Sequence, residues 1–371
     1  MSQIIVSISC TGHDRSIAIM EDSKLKTILQ EDRFSRTKND SRDYMISIEQ
    51  LPKIINKIDY LILSGGGQPD KWELYIEWLN KHNLTPKNII KSSLSSHHLF
   101  HSSSAFFGSG FKEAICLTID AWGGITFLPS YEEERVGRYT TKISLANYPS
   151  NFKEKYANIW FDSFCNGPNF NPSLIKNTHD YNENLDIGFM YHIISKFIGF
   201  PKPGDEGKTM GLSAYGKENF QLPSLLYKDT LYGNSNIFSN SSIVKTKINP
   251  ELQNLTKEKA MDLAFSIQKS LEKVIIKRIE QAISYSNIKN LVLSGGCFMN
   301  VVCNYLIKKH FPKLNIYIDP MANDGGLAYG AAKYYYHQIT KSNIINPQLN
   351  HLYWGPRYSQ KDLLNSIQKY V

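Results

Sequence analysis

The sequence predicts an α/β protein of two lobes, and three observations carry that expectation. Its 371 residues exceed what one hydrophobic core usually encloses, so lobes of roughly 100 to 200 residues each are expected. Short apolar stretches end on glycines or carboxylates: DYLILS (59–64) runs into Gly65-Gly66-Gly67, and AICLTID (114–120) ends on Asp120. From Asn290 onward the chain reads strand, Gly-Gly, helix, strand, helix, the alternation of a mixed sheet whose ligands sit over its strand ends.

Taken in order, residues 4–9 alternate weakly and stop at the turn-prone Thr11-Gly12. An apolar run resumes over 16–20, and Asp22-Ser23 closes it as a hairpin. Residues 59–64 and 114–120 are short strands of the buried type. The stretch 166–184, rich in Asn, Pro and Gly, reads as a long surface loop, either facing a substrate or an inert excursion. Over 256–285, Ala260, Leu263, Ala264, Ile267, Leu271, Val274, Ile275, Ile279 and Ala282 recur at three- and four-residue spacing, which predicts a long amphipathic helix. A strand at 290–294, the pair Gly295-Gly296, a helix over 300–309, a strand at 315–319 and a helix from Gly325 follow. The sequence contains no exact internal repeat.

A composition of 42% hydrophobic and 20% charged residues is that of a globular protein. No apolar run approaches the roughly 18 residues of a membrane span, and MSQIIVSISC reads as a first strand, not a signal peptide. A cytoplasmic protein without a membrane partner is therefore expected. Cys10, Cys116, Cys165, Cys297 and Cys303 are odd in number and never spaced C-x-x-C, which argues against a disulfide framework or a zinc ribbon. The net charge of +8 lacks a sustained basic run and reads as solvated surface, with an anionic partner such as a nucleotide as the alternative; nucleic acid is not indicated.

His97 and His101 lie one helical turn apart, where two imidazoles can share a metal, although chance produces such pairs too. Asp120 in LTIDAWGG and Asp324 in MANDGG each end a strand or open a glycine turn, and would complete a mixed donor set suited to Fe(II), Mn or Zn. A zinc-protease pattern would need a glutamate after the first histidine, and position 98 is histidine. Gly295-Gly296 and Gly325-Gly326 flank one β-α-β unit, where backbone N–H groups can approach an anion; tight packing is the alternative, and neither is a Walker A loop. GDEGKTMG (204–211) puts Asp205, Glu206 and Lys208 in a glycine-rich turn, able to activate a hydroxyl and neutralise phosphate, or else simply solvated. His13-Asp14, with Glu31, Asp32, Arg33, Arg36 and Lys38, offers an imidazole beside a carboxylate and cations for an anionic donor, or an ordinary charged surface.

In this order the blocks resemble the O-carbamoyltransferase family of nodulation-factor and aminoglycoside tailoring, itself related to the transferases that make threonylcarbamoyladenosine in tRNA. The resemblance spans most of the chain through His13-Asp14, EDRFSRTK (31–38), HHLFHSSSAFF (97–107), LTIDAWG (117–123), GDEGKTMGLSAYG (204–216), LSGGCFMN (293–300) and DPMANDGG (319–326). It implies a two-lobed actin-like ATPase (ASKHA) fold with duplicated ribonuclease-H-like sheets. Lobe I would cover 1–112 and lobe II 113–345, its last helix packing back on lobe I, with 346–371 the start of a linker to a YrdC-like domain. The implied activity is transfer of a carbamoyl group from carbamoyl-adenylate, made from carbamoyl phosphate and ATP, to a hydroxyl of a small-molecule acceptor. His97, His101, Asp120 and Asp324 would bind the metal, with iron expected and Zn or Mn as alternatives. Gly295, Gly296, Asn300, Gly325 and Lys208 would hold the nucleotide. His13, Lys38 and Asp205 would flank the carbamoyl group, with His13 or Asp205 as base. The chain departs from the family where relatives enter the YrdC-like domain that makes the adenylate, so the donor is expected from a separate protein or a cut-away part. The rival readings are threonylcarbamoyl transfer to tRNA and a catalytically idle nucleotide-binding scaffold.

Overall fold

The computed structural model describes residues 2–42, 44–65, 71–121, 123, 125–128, 135–161, 179–182, 187–202, 204–220, 238–239, 247–248 and 255–368. Buried on both faces, residues 4–9 form β1 (Ile4–Ser9) at the centre of a five-stranded sheet. β2 (Ser16–Glu21) and β3 (Lys24–Gln30) follow antiparallel. After the short helices α1 (Glu31–Ser35) and α2 (Leu51–Ile54), β4 (Ile58–Ser64) joins β1 in parallel. Then α3 (Lys71–Lys81) leads to β5 (Pro86–Lys91), parallel to β4.

Helix α4 (His97–Ser109) carries the chain to a seven-stranded sheet built on β6 (Glu113–Ile119), β7 (Ile125–Leu128), β8 (Arg135–Asn147), β9 (Asn151–Phe161) and β10 (His179–Asn182). Next come α5 (Ile187–Phe197), α6 (Glu206–Leu212), a two-stranded pair of β11 (Phe238–Ser239) and β12 (Lys247–Ile248), and the 28-residue α7 (Lys257–Ser284). β13 (Asn290–Ser294), α8 (Val301–His310) and β14 (Asn315–Ile318) complete this half, and α9 (Leu327–Thr340) and α10 (Gln360–Gln368) close the chain. The path β9-β8-β6-β13-β14 is antiparallel, antiparallel, parallel, parallel. The first sheet follows the same pattern along β3-β2-β1-β4-β5. This is the duplicated mixed α/β architecture expected of the actin-like fold, and the repeat is one of topology without a repeat of residues.

Two local expectations change. Residues 179–182, expected in a loop, form β10 parallel to β9, while most of the 166–184 stretch lies outside the described residues. The glycine-rich turn at 204–211 is largely helix α6, which tolerates Gly207 and Gly211 because it packs against α5 and α7 and opens with Glu206 in its first turn.

The core is layered. On one face of the first sheet Val6, Ile8, Ile17, Ile19, Leu61 and Leu63 pack against Trp72, Tyr75 and Leu79 of α3; on the other, Ile5, Ala18, Met20 and Ile62 meet Leu327, Ala328 and Ala331 of α9. The second sheet presents Ile115, Leu117 and Leu293 to α5 and α7, and Ala114, Cys116 and Val292 to Phe106 and Phe107 of α4. Helices α4 and α9, in contact with each other, thus lie between the two sheets. Helix α4 (HHLFHSSSAFFGS) is a poor helix former by propensity, at about 0.5 kcal/mol per residue relative to alanine. Burying Phe100, Phe106 and Phe107, worth about 1.5–3 kcal/mol each, is of the same size as that deficit, and Ser103 and Ser109 donate to the carbonyls of Gly330 and Phe106.

After α9 the chain runs back across both halves. Leu349 N–H donates to the Gly108 carbonyl at 2.8 Å, and the Trp354 carbonyl accepts from Ile28 N–H at 2.8 Å and from the Thr27 hydroxyl. His337 stacks on Phe107 at 4.4 Å and donates from Nδ1 to the Ser342 carbonyl. Burial pulls its imidazole down to about 4 from an ordinary 6.5. The unfolded chain therefore binds more protons between those values, and this contribution to stability is lost as pH falls from 6.5 towards 4. A His337→Phe variant should show a flatter acid limb in denaturant-melt stability measured across pH 4 to 6.5, by on the order of 1 kcal/mol per pH unit. Parallel acid limbs for the two proteins would refute the assignment.

Cys10, Cys116, Cys297 and Cys303 are thiols, three of them buried; Cys165 lies outside the described residues. No helix among the described residues is long and apolar enough to cross a membrane.

Candidate metal centre

Three elements bring four donors together. His97 and His101 face the same side of α4, Asp120 follows the last residue of β6, and Asp324 opens the turn into α9. One donor atom from each of the four lies within 4.8 Å of all the others. His97 Nε2 stands 3.1 Å from Asp120 Oδ2, 3.4 Å from Asp324 Oδ1 and 3.1 Å from His101 Nε2; His101 Nε2 is 3.3 Å from Asp324 Oδ1.

Both histidines are buried, and the two aspartates keep only a small opening. Burial disfavours charge on His97, but the fields of Asp324 and Asp120 and their hydrogen bonds override it and raise the imidazole to about 10. Burial likewise opposes charge on Asp324, yet the two histidines hold its carboxyl well below the usual range. The backbone assists: Asp120 Oδ1 accepts from Ala121 N–H at 2.9 Å and from Gly296 N–H at 3.3 Å. A side chain at Gly295, whose φ is +97°, would place its Cβ 2.3 Å from the Ile119 carbonyl, so only glycine allows the strand ends to meet.

Sequence reasoning missed several neighbours. Ser294 Oγ lies 3.4 Å from His101 Nδ1 and donates to Asp319 Oδ2 at 3.3 Å. Each ends or follows a strand, which is the only signal the sequence offers. His98, buried beside the pair, is kept neutral by burial and by His97, and its ring fills the space above Gly123. Gln30 packs its amide against Gly325. His192 of α5 pairs with Glu206 Oε1 at 2.6 Å, and a lone histidine in an apolar helix carries no pattern that would reveal this.

The remaining predicted residues make contacts outside the four-donor set. His13, more than half exposed, contacts Asp14 at 3.3 Å; that hydrogen bond, with the fields of Asp324 and Asp120, outweighs burial and lifts its imidazole to about 9. Lys38 Nζ donates to the Gly204 carbonyl at 2.7 Å, and Lys208 pairs with Asp205 at 2.8 Å, which lowers the Asp205 carboxyl. Asn300 is occupied internally: it caps α8 by accepting from Cys303 N–H and exchanges hydrogen bonds with Gln268. The N–H groups of Gly295 and Gly326 donate to the carbonyls of Ala322 and Asn323.

The family profile described as Carbamoyltransferase N-terminus matches residues 70–333. An uncharacterized protein of Methanocaldococcus jannaschii is 29% identical over 283 residues, covering 75% of this chain and 42% of its own. The nodulation protein NolNO of Sinorhizobium fredii is 28% identical over 275 residues, covering 71% of this chain and 34% of its own. Among solved structures, HypF of T. kodakarensis superposes with a TM-score of 0.52 at 10% identity, over 93% of this chain and 49% of that one. The last likeness is one of fold. The chain thus spans less than half the length of each of these proteins.

Proposed function

We propose, from the premise that the chain belongs to the Carbamoyltransferase N-terminus family, that it transfers a carbamoyl group from carbamoyl-adenylate to a hydroxyl of a small-molecule acceptor. The observation that carries this reading is the buried cluster of His97, His101, Asp120 and Asp324 at the meeting point of the sheets. Its donor chemistry fits a divalent cation: two imidazole nitrogens and two mutually repelling carboxylates converge where little water reaches. Bound there, such an ion, expected as Fe(II) with Zn or Mn as alternatives, would supply positive charge to the phosphate or carbamoyl oxygens of the donor.

The protein's own groups divide the remaining work. His13, whose imidazole is raised chiefly by its hydrogen bond to Asp14, serves with Lys38 to offset phosphate charge, a role in which it carries a proton and is no base. Asp205, held ionised by Lys208, takes the acceptor proton as the acceptor oxygen bonds to the carbamoyl carbon; the bond from that carbon to the phosphate oxygen breaks and AMP leaves. Lys208 also faces the nucleotide phosphate. Gly295, Gly296 and Gly325 let the backbone approach the nucleotide closely, while Asn300 acts on it through the start of α8. ATP and carbamoyl phosphate enter as sources of the adenylate, made by a YrdC-like domain or protein.

The test supplies preformed carbamoyl-adenylate and a panel of sugars, nucleosides and tRNA to metal-loaded protein and follows AMP. Release above the buffer rate with one acceptor class is expected, and Asp205→Asn should slow it by about 100-fold. AMP release at the buffer rate with every acceptor would sink the proposal, and retained nucleotide binding would then favour the scaffold reading.

A further inference from the structure

We propose that Asp319, acting through Ser294, is the positioning residue of the metal cluster: it fixes the tautomer of His101 and shapes the turn that presents Asp324. The inference rests on the metal reading above and goes beyond it to two residues that are not themselves metal donors.

A serine hydroxyl has one hydrogen, and Ser294 donates it to Asp319 Oδ2 at 3.3 Å. Its 3.4 Å contact with His101 Nδ1 must therefore run the other way, with the ring N–H donating to Ser294 Oγ. That assignment leaves the lone pair on His101 Nε2, the atom that faces His97 and Asp324. With the opposite tautomer, Nε2 would present a hydrogen to the cluster and could not bind a cation.

Asp319 also acts on the turn that follows it. Its Oδ1 accepts from Met321 N–H at 2.9 Å, bending the chain so that the Ala322 carbonyl receives Gly295 N–H at 3.0 Å, two residues before Asp324. Gly296, the next residue along, donates to Asp120. His101, Asp324 and Asp120 are thus all referenced to the three consecutive residues Ser294, Gly295 and Gly296. Asp319 is buried, and desolvation raises its carboxyl, so it is held in place at a cost that a solvated carboxylate would not incur. Outer groups that orient ligating histidines in this way typically change metal affinity 10- to 100-fold when removed.

The experiment titrates Co(II) into metal-free full chain in competition with a chelator, comparing the native protein with Ser294→Ala and Asp319→Asn. Thermal unfolding of each metal-free form is measured alongside. The expected result is Co(II) affinity weakened by about 10- to 100-fold in Ser294→Ala, with an altered Co(II) visible spectrum and an unfolding midpoint close to native. Asp319→Asn should weaken binding in the same direction; if it does not fold, Ser294→Ala decides. Native-like affinity and spectrum in Ser294→Ala would overturn the inference alone. Failure of the native protein to bind Co(II) would instead overturn the metal reading and this inference with it.

Discussion

Purified without oxygen beside the native protein, a His101→Ala variant is expected to contain almost no metal by elemental analysis, and the native chain about one divalent ion. Alanine removes one of four converging donors and leaves His97 alone against two carboxylates. It also severs the contact to Ser294 at the end of β13, while His97 still reaches Asp324. The loss should not be confused with unfolding: the apolar clusters on either side of α4 are built from Phe100, Phe106 and Phe107, and no histidine of the cluster supplies their packing. Far-UV circular dichroism should therefore remain native. Equal metal content in the two proteins would remove the four-donor site from consideration.

The second large effect is expected at a position with no chemistry. A Cβ at Gly330 would lie 1.9 Å from the Phe100 carbonyl and 3.0 Å from Ser104 N, backbone atoms of α4 that cannot swing aside. Gly330→Ala should gain about 1 kcal/mol from helix propensity and lose about 3 kcal/mol from overpacking, so the net is destabilising. The measurement is the urea midpoint of the metal-free protein, expected to fall by the equivalent of about 2 kcal/mol. An unchanged or raised midpoint would mean that α4 and α9 are not pressed together as described. Since α4 bears His97 and His101 and α9 follows Asp324, weaker metal retention should accompany the loss of stability.

What was legible follows from what each element must satisfy. β1, β13 and α7 are readable because a short apolar-rich strand and a helix with one buried stripe write their surroundings into a short window. The hairpin of β8 and β9 was not read, since its pairing is set by partners along the sheet more than by its own pattern. Duplication of the two sheets left no repeat of residues, because topology constrains where apolar residues fall and not which ones they are.

At the site the four donors were visible because each occupies a strand end, a glycine turn or one helical turn. Ser294 and Asp319 were not, because a serine at a strand end and an aspartate before proline are common in any sheet protein. Asn300 shows a different limit: its position after Gly295-Gly296 invited a ligand role, while its partner Gln268 lies on α7, 32 residues earlier, with nothing in the local sequence to announce it.

The return of the chain to β3 has a colloidal consequence. β3 is the outermost strand on its side of the first sheet, and an unpaired strand margin invites pairing with another molecule. By taking up the hydrogens of Ile28 and Thr27, the Trp354 carbonyl blunts that margin. A version of the protein shortened to 1–345 would keep both sheets and the His97, His101, Asp120 and Asp324 cluster, yet it would uncover Ile28 and Thr27 and be more prone to strand-by-strand association.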